Sequence, residues 1–488
     1  MIERATLYAM ANRLWGSASG LLTAVLVAAF FTPELQGYYF TFLSLLTLQT
    51  FVDLGFGELL QQFISHEWAK AASADPDERE RSLSRLAGLL RFSLRWYGGV
   101  ALLICAALGI AGSVYFRAFP HTSVGGALSW ELAWWIAVAV TALSVLLTPW
   151  FSLLEGANRV EKVHGVRLSQ GIASRLAGFL AIAFGAGLFT VAVTRIVSFL
   201  VGVSGLGRDA LGLARRLWSH PEEGNAVSYQ RELWPLQWKF ALSWLSGYLL
   251  YSLFTPVLFA FHGPELAGRM GMTAAAATAI SSAAFAVMAT KVPRLAILAA
   301  ERDYPGMDAL FRRATISSVL VSAAGALLFL SLLALSGQLG LEISKRFLPI
   351  LETSLFLSAL VLQQIRFAMG SYLRAHKAEP FALLSVFEGL GAVPLLTLLG
   401  RDFGALGMIL GFLGLTTVTL VPAFRIFQRC RRRWHTPKTT SCLHNTGPQK
   451  RRSEGAWLGA LGVGLGPQRG ARRAPESGAL GVRPQRTE

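Results

Sequence analysis

Two short stretches of the chain have the same pattern: residues 31–37 are FTPELQG and residues 262–268 are HGPELAG. Each stretch ends one long apolar segment and begins the next, and the shared Pro-Glu-Leu-x-Gly recurs after 231 residues. The repeat predicts two halves of similar structure in the same membrane orientation, related by an axis along the bilayer normal. The alternative is chance similarity in a sequence of low diversity.

The composition excludes an ordinary globular enzyme. Of 488 residues, 53% are apolar and 15% are charged, whereas a soluble domain has about 25% charged residues. Apolar windows of about 20 residues, enough to cross a bilayer, recur along the chain. They predict an all-α integral membrane protein with about twelve transmembrane helices, near residues 11–31, 38–63, 97–117, 130–154, 166–185, 187–206, 236–261, 269–290, 314–336, 350–372, 381–399 and 404–424.

The spans divide the chain into predicted units. The formal net charge is +17, of which +11 lies between residues 425 and 488, so the charge does not indicate a nucleic-acid-binding domain. That segment is rich in Gly, Arg and Pro, a composition typical of disorder. The predicted units are an N-terminal six-helix bundle (1–206), a cytoplasmic linker (207–235), a C-terminal six-helix bundle (236–424) and a basic disordered cytoplasmic tail (425–488).

The charges of the loops predict the orientation. With the amino terminus inside, the inner segments and their flanking residues carry 22 Lys and Arg, and the outer ones carry 5. Positive residues are retained on the cytoplasmic side, so both termini are predicted to be cytoplasmic. The alternation also favours an even number of spans.

Metal and cofactor chemistry are not indicated. The three cysteines have no Cys-x-x-Cys spacing, and the eight histidines include no His-Glu-x-x-His motif. The sequence therefore predicts neither a metal site nor a cofactor. There is also no phosphate-binding Gly-x-x-x-x-Gly-Lys-Ser/Thr motif. Energy for any transport would come from an ion gradient, the membrane potential or downstream consumption of the product.

Residues 36–46 (QGYYFTFLSLL) and 51–57 (FVDLGFG) resemble the second-helix signature of bacterial polysaccharide exporters in the multidrug/oligosaccharidyl-lipid/polysaccharide (MOP) flippase superfamily. O-antigen flippases, which serve lipopolysaccharide synthesis, are the nearest group. Residues 264–273 (PELAGRMGMT) and the basic segment 293–313 are similar to the second half of such proteins. The resemblance covers about residues 1–425.

That resemblance implies two six-helix bundles around a central cavity and transport by alternating access. The implied substrate is an oligosaccharide linked to a polyprenyl diphosphate, and the implied location is the bacterial inner (plasma) membrane. Membrane lipids, a coupling ion (proton or sodium) and other polysaccharide-assembly proteins are the expected partners.

Two arginines are predicted at membrane depth. Arg175 and Arg195 lie on adjacent helices, each roughly 13 to 17 Å from the inner surface at 1.5 Å per residue. Charges at this depth either pair or face a watery cavity, and guanidinium groups bind phosphate in a bidentate way. A diphosphate headgroup is one candidate partner, and a carboxylate elsewhere in the bundle is the alternative. Arg13 and Lys239 are predicted to form a basic vestibule, or else to extend towards the lipid headgroups.

Four further charged residues lie within predicted spans. Asp53 and Glu58 in the second span are candidates for ion coupling, because burial raises the pKa of a carboxyl group into a range where it can exchange protons. Their alternative is a static ion pair. Glu388 lies at a depth similar to that of Arg366, so a structural ion pair is favoured over a coupling role for it.

The favoured function is flipping of a polyprenyl-diphosphate-linked oligosaccharide for surface-polysaccharide export. A drug or cation efflux antiporter of the same superfamily is the second hypothesis, although Arg175 and Arg195 argue against it. A membrane glycosyltransferase or polysaccharide polymerase is the third. Such enzymes need a sizeable external loop, and the longest predicted outer loop is short. The sequence thus favours a transporter over an enzyme.

The charge asymmetry makes a topological prediction. A reporter fused after Arg433 should behave as cytoplasmic, and one inserted near Thr122 should behave as external. Paired phosphatase and fluorescent-protein fusions check this in intact cells. Finding both positions on one side would exclude the twelve-span arrangement.

Overall fold

The computed structural model describes residues 4–49, 56–73, 75–119, 130–219, 252–376 and 378–435, except for the side chains of Thr6 and Arg208. Asp53, Lys239, most of the predicted linker and the predicted tail beyond His435 therefore lie outside the described residues. The described part of the chain is built from helices, as expected where lipid cannot hydrogen-bond to the backbone.

The N-terminal half contains nine helices in its described residues. Helix α4 continues into α5 through a π-helical turn, Ile104–Leu108. The helices are α1 (Arg4–Phe30), α2 (Pro33–Leu46), α3 (Phe56–Ala71), α4 (Pro76–Leu103), α5 (Gly109–Ala118), α6 (Trp130–Val145), α7 (Thr148–Gly156), α8 (Val160–Ala183) and α9 (Phe189–Trp218).

The C-terminal half contains six helices in its described residues, and a 3-10 turn, Glu342–Arg346, precedes the fifth of them. They are α10 (Phe254–His262), α11 (Pro264–Ala289), α12 (Val292–Glu301), α13 (Tyr304–Gln338), α14 (Ile350–Ala375) and α15 (Ala382–His435).

Helix α15 is a hairpin that contains the two last predicted spans. Its chain reverses at Gly404, whose φ of 64° and ψ of −147° are not helical. A Cβ at Gly411 would lie 2.6 Å from Leu399 Cδ1 on the preceding arm, so the two arms pack closely and antiparallel. Glycine at position 404 allows this turn because it has no Cβ to clash at positive φ.

Eight helical stretches of the described residues are long and apolar enough to cross a membrane. One of them is the whole of α15, and others include helices interrupted by short turns, so their number is not the number of crossings. They are Leu7–Phe30, Pro76–Ala118, Trp130–Gly156, Phe189–Gly207, Pro264–Glu301, Tyr304–Gln338, Ile350–Ala375 and Ala382–His435.

Two predicted spans differ in the structure. The span at 38–63 is not one helix, because α2 ends at Leu46 and α3 begins at Phe56. The span at 130–154 is broken between α6 and α7, where Pro149 lies in the first turn of α7. Proline has no N–H and suits only that first turn, so the preceding helix cannot continue through it. In addition, α9 extends into the predicted linker as far as Trp218.

The repeated motifs lie against each other. A Cβ at Gly37 would overlap the carbonyl group of Pro264, and a Cβ at Gly268 would lie 3.2 Å from the carbonyl oxygen of Pro33. Gly37 corresponds to Gly268, and Pro33 to Pro264, so the contact is reciprocal, as it is at a two-fold interface. The structure therefore places the two copies of Pro-Glu-Leu-x-Gly at the junction of the halves. We call this end of the helices the motif end.

At the opposite end of the C-terminal half, a polar cluster around Asp308 on α13 joins this helix to its neighbours. The Asp308 carboxylate accepts hydrogen bonds from Arg431 Nε (3.1 Å) and from the Tyr372 hydroxyl (2.9 Å). His376 stacks on Trp434 with ring centroids 4.1 Å apart, and burial lowers the pKa of its imidazole. These contacts link α13, α14 and the end of α15.

The close contact at the motif end predicts the effect of a single methyl group. Gly37→Ala should destabilise the protein by about 1 to 3 kcal/mol, because the new Cβ meets backbone that cannot rotate away. The measurement is the apparent melting temperature of the purified protein in detergent.

Gly99→Ala on α4 is the matched control, since nothing lies within 4 Å of a Cβ at that helical position. It should be neutral or stabilise slightly, because alanine favours helix by about 1 kcal/mol over glycine. Equal melting temperatures for the two variants would exclude a tight contact at Gly37.

Candidate functional site

A cavity of about 720 Å³ lies between the two halves. Helix α1 forms one wall and α11 another, and α2, α8 and α14 contribute further residues. Most of the wall residues are small or apolar, so few large side chains project into the cavity. The small ones are Gly16, Ser17, Gly20, Ala24, Ala275, Ala279, Ser282, Ala283, Ala286 and Ala289.

Two predicted site residues, Arg13 on α1 and Arg175 on α8, line this cavity. No described residue that lines it is acidic. Neither arginine side chain forms a salt bridge or a hydrogen bond with another described residue. The cavity is therefore positively charged as far as its described lining shows.

The hairpin of α8 and α9 sets the depth of Arg175 and Arg195. The helices run antiparallel, and Gly178 lies opposite Thr194, whose Cγ2 is 2.7 Å from the position of an added Cβ. Farther along, Gln170 Nε2 donates to the Ser198 carbonyl oxygen at 2.8 Å. In this register, Arg175 and Arg195 differ by at most about two residues, or about 3 Å along the helix axis.

Arg195 belongs to the same electrostatic environment. Its half-buried guanidinium interacts with that of Arg175 and with the phenol of Tyr39. Like Arg175, it has no ion-pair partner among the described residues. The structure thus brings together Arg175 and Arg195, and Arg13 and Arg175 line the cavity while Arg195 does not. Lys239 lies outside the described residues.

Helix α1 is fixed against α8 by a polar contact. The indole Nε1 of Trp15 donates to the Gly171 carbonyl oxygen at 3.0 Å, and the Asn12 side chain also lies against Gly171. Arg13 lies between these two residues in sequence, and Arg175 lies one turn beyond Gly171. This packing keeps the two cations on neighbouring walls.

Tyr39 on α2 is a site residue that the charge-based reasoning did not identify. Its ring is 4% exposed, lines the cavity, and interacts electrostatically with Arg175 and Arg195. The QGYYF segment contains it, but hydropathy does not show which of the two tyrosines faces the cavity. Packing against neighbouring helices decides that rotation.

The structure places Glu58, one of the two candidates for ion coupling, outside the described lining of the cavity. Glu58 is exposed, near the beginning of α3, and takes part in an interaction with another residue. A role of Glu58 in ion coupling stays a prediction. Asp53, the other candidate for ion coupling, lies outside the described residues.

Arg366 and Glu388 form an ion pair between α14 and the first arm of α15. The Glu388 side chain is 2% exposed and also accepts a hydrogen bond from Thr419 Oγ1 at 3.2 Å. Neither residue of this pair lines the cavity described above. The geometry is that of a structural contact joining α14 to both arms of the hairpin.

The two halves also meet in an aromatic cluster at the motif end, formed by Tyr38, Phe116 and Phe259. Tyr38 stacks on Phe116 (centroids 5.7 Å apart) and packs edge-to-face on Phe259 of the other half (4.9 Å). Nearby, the Tyr115 hydroxyl donates to the Pro256 carbonyl oxygen at 2.5 Å. The motif end of the cavity is therefore closed by contacts between the halves.

No protein-family model and no curated protein matches the sequence. Solved structures are similar over most of the chain. An inward-facing multidrug resistance MATE family transporter of the MOP superfamily is 14% identical, with a TM-score of 0.52, over 90% of this chain and 96% of that one. The lipid II flippase MurJ in an inward closed conformation is 12% identical, with a TM-score of 0.53, over 88% of this chain and 90% of that one.

The Vibrio cholerae MATE transporter VcmN in its bent form is 16% identical, with a TM-score of 0.51, over 88% of this chain and 98% of that one. The chain therefore shares the fold of these solved structures. The predicted class, an all-α multi-span membrane protein with twelve helices in two bundles, is confirmed. The assignment to polysaccharide exporters stays a prediction.

The Arg366–Glu388 pair makes a prediction about stability. Arg366→Ala should lower stability by about 3 to 5 kcal/mol, because it leaves a buried carboxylate without its cation. Membrane abundance and the apparent melting temperature report the loss.

The double variant Arg366→Ala with Glu388→Gln should recover much of that stability, since a neutral amide can still accept the hydrogen bond from Thr419. If the single variant were as stable as the unmodified protein, the pair would have no structural role.

Proposed function

We propose that this chain flips a polyprenyl-diphosphate-linked oligosaccharide across the bacterial plasma membrane for surface-polysaccharide export. The observation that supports this is the cationic cavity, with Arg13 and Arg175 in its wall, Arg195 beside them, and no acidic residue in its described lining. Guanidinium groups bind phosphate oxygens in pairs, so a diphosphate is a suitable ligand.

The unpaired arginines are costly in a bilayer without such a ligand. A charged side chain at the centre of a membrane helix costs at least about 2.5 kcal/mol, and more when it is not solvated. An anionic headgroup entering the cavity would compensate both Arg175 and Arg195. Because this gain requires negative charge on the substrate, the site would favour diphosphate-linked lipids over neutral ones.

Drug or cation efflux is the second candidate function, because MATE multidrug transporters share the fold. A cationic drug would need carboxylates in the cavity, and the described lining offers arginines instead. Repulsion between like charges in a medium of low dielectric is substantial. The charge of the described lining therefore favours the flippase. An enzymatic role has less support, since the similar proteins named above are all transporters.

The small side chains of the cavity wall leave room for a bulky substrate. The lining hydroxyls of Ser17, Thr23 and Thr278 donate to carbonyl groups of their own helices, at 3.2, 2.7 and 2.7 Å. Among the other lining hydroxyls, those of Ser282 and Tyr39 form no hydrogen bond with a described residue. The described lining therefore offers few free donors for a saccharide, and recognition would fall mainly on the headgroup. The diphosphate is therefore the part of the substrate that the described lining would recognise, and the identity of the sugar is not determined by it.

The proposed cycle is alternating access of the two bundles, here 1–206 and 236–424. The motif end would face outward, with both termini in the cytoplasm of the bacterial cell. Opening would separate the contacts of Gly37 and Tyr38 with the other half. A proton or sodium gradient would supply energy, with Asp53 and Glu58 as the candidates for ion coupling.

Removing either deep cation tests the proposal. Arg175→Ala and Arg195→Ala should each reduce saccharide export about ten-fold or more, because each loses charged hydrogen bonds worth about 1.5 to 3 kcal/mol. Lysine replacements should restore export only in part, since an ammonium lacks the bidentate fork. Export and membrane abundance are measured on the same cells.

Arg95→Ala is the control, because Arg95 is an exposed arginine of α4 that does not line the cavity. It should leave export and abundance unchanged. Normal export in both the Arg175 and the Arg195 variants at normal abundance would remove these arginines from the mechanism. Loss of the protein itself would instead indicate a structural role.

A further inference from the structure

Tyr39 lines the cavity and has a hydroxyl without a protein partner. Its side chain is 4% exposed, yet its hydroxyl forms no hydrogen bond with any described residue. Buried tyrosine hydroxyls usually find a partner. The hydroxyl of Tyr115 donates to a backbone carbonyl, and that of Tyr372 donates to Asp308. The Tyr39 hydroxyl is thus a free donor at the surface of the cavity.

The surroundings of Tyr39 fix its ring. It packs edge-to-face on Phe31 (centroids 5.6 Å apart) and on Phe40 (5.3 Å apart). Its side chain lines the same cavity as Arg175, and it interacts electrostatically with both Arg175 and Arg195. The hydroxyl therefore belongs to the region where two unpaired cations attract an anion.

We propose that Tyr39 is a third ligand of the headgroup site and donates its phenolic O–H to a phosphate oxygen held by Arg175 and Arg195. This inference rests on the proposed function and names a further binding residue within it. A phosphate ester presents several acceptor oxygens, so two guanidinium groups and one hydroxyl can bind it together. The hydrogen bond also gives the Tyr39 hydroxyl the partner that it lacks.

The test is the binding of farnesyl diphosphate and of farnesol, its neutral alcohol, to the purified full-length protein in detergent. Tyr39→Phe removes the hydroxyl and keeps the ring. It should weaken binding of the diphosphate about 10- to 100-fold, the range for one hydrogen bond to a charged group. Binding of the alcohol should not change, because it lacks the phosphate oxygens.

Tyr38→Phe is the matched control. Tyr38 is equally buried and adjacent in sequence, but it packs in the aromatic cluster and does not line the cavity. This variant should bind farnesyl diphosphate as the unmodified protein does. An equal loss in both variants would overturn the inference, because it would reflect altered packing of α2.

The remaining outcomes are separable. If Tyr39→Phe binds the diphosphate normally while Arg175→Ala and Arg195→Ala do not, the inference fails and the proposed function stands. If Tyr39→Phe loses affinity for the diphosphate and the alcohol alike, its role is structural and the inference fails. If the unmodified protein does not prefer the diphosphate to the alcohol, the proposed function itself fails.

Discussion

The structure depends on one close backbone contact, the reciprocal approach of Gly37 to Pro264 and of Gly268 to Pro33. A methyl group on either glycine would press against backbone of the other half. The absence of side chains lets α2 and α11 touch directly, as small residues do at membrane helix interfaces. Helix α1 leads into this contact in the N-terminal half and α10 leads into it in the C-terminal half. The contact therefore fixes where the cavity walls formed by α1 and α11 begin.

Helix α2 connects that contact to the charged site through four consecutive residues. The Gln36 amide Nε2 donates to the Arg346 carbonyl oxygen at 3.1 Å, and Gly37 meets Pro264. Tyr38 packs on Phe259, and Tyr39 faces the cavity. Three of these residues touch the C-terminal half, and the fourth adjoins the cations. Any rotation of α2 that breaks the contact between the halves therefore also moves Tyr39 relative to the arginines.

The sequence predicts quantities that depend on regular geometry. Arg175 and Arg195 were expected at one depth because helices rise evenly, and the short α8–α9 connection keeps their register. The repeated motif likewise indicated two related halves. The sequence did not predict that Tyr39 faces the cavity or that Glu58 is exposed. Those depend on how each helix turns against its neighbours, a property of packing that hydropathy does not contain.

The two halves differ in whether their deep charges are compensated by a partner of opposite charge. In the C-terminal half, Arg366 meets Glu388, so the pair is compensated within the fold. In the N-terminal half, the described residues leave Arg175 and Arg195 without a carboxylate, and the nearby polar group is the neutral Tyr39. A fold that needed these cations only for stability would pair them, because an uncompensated charge at this depth costs several kcal/mol. The cost is offset when water or an anion fills the cavity, which is why we propose the headgroup site at the unpaired cations and not at the ion pair.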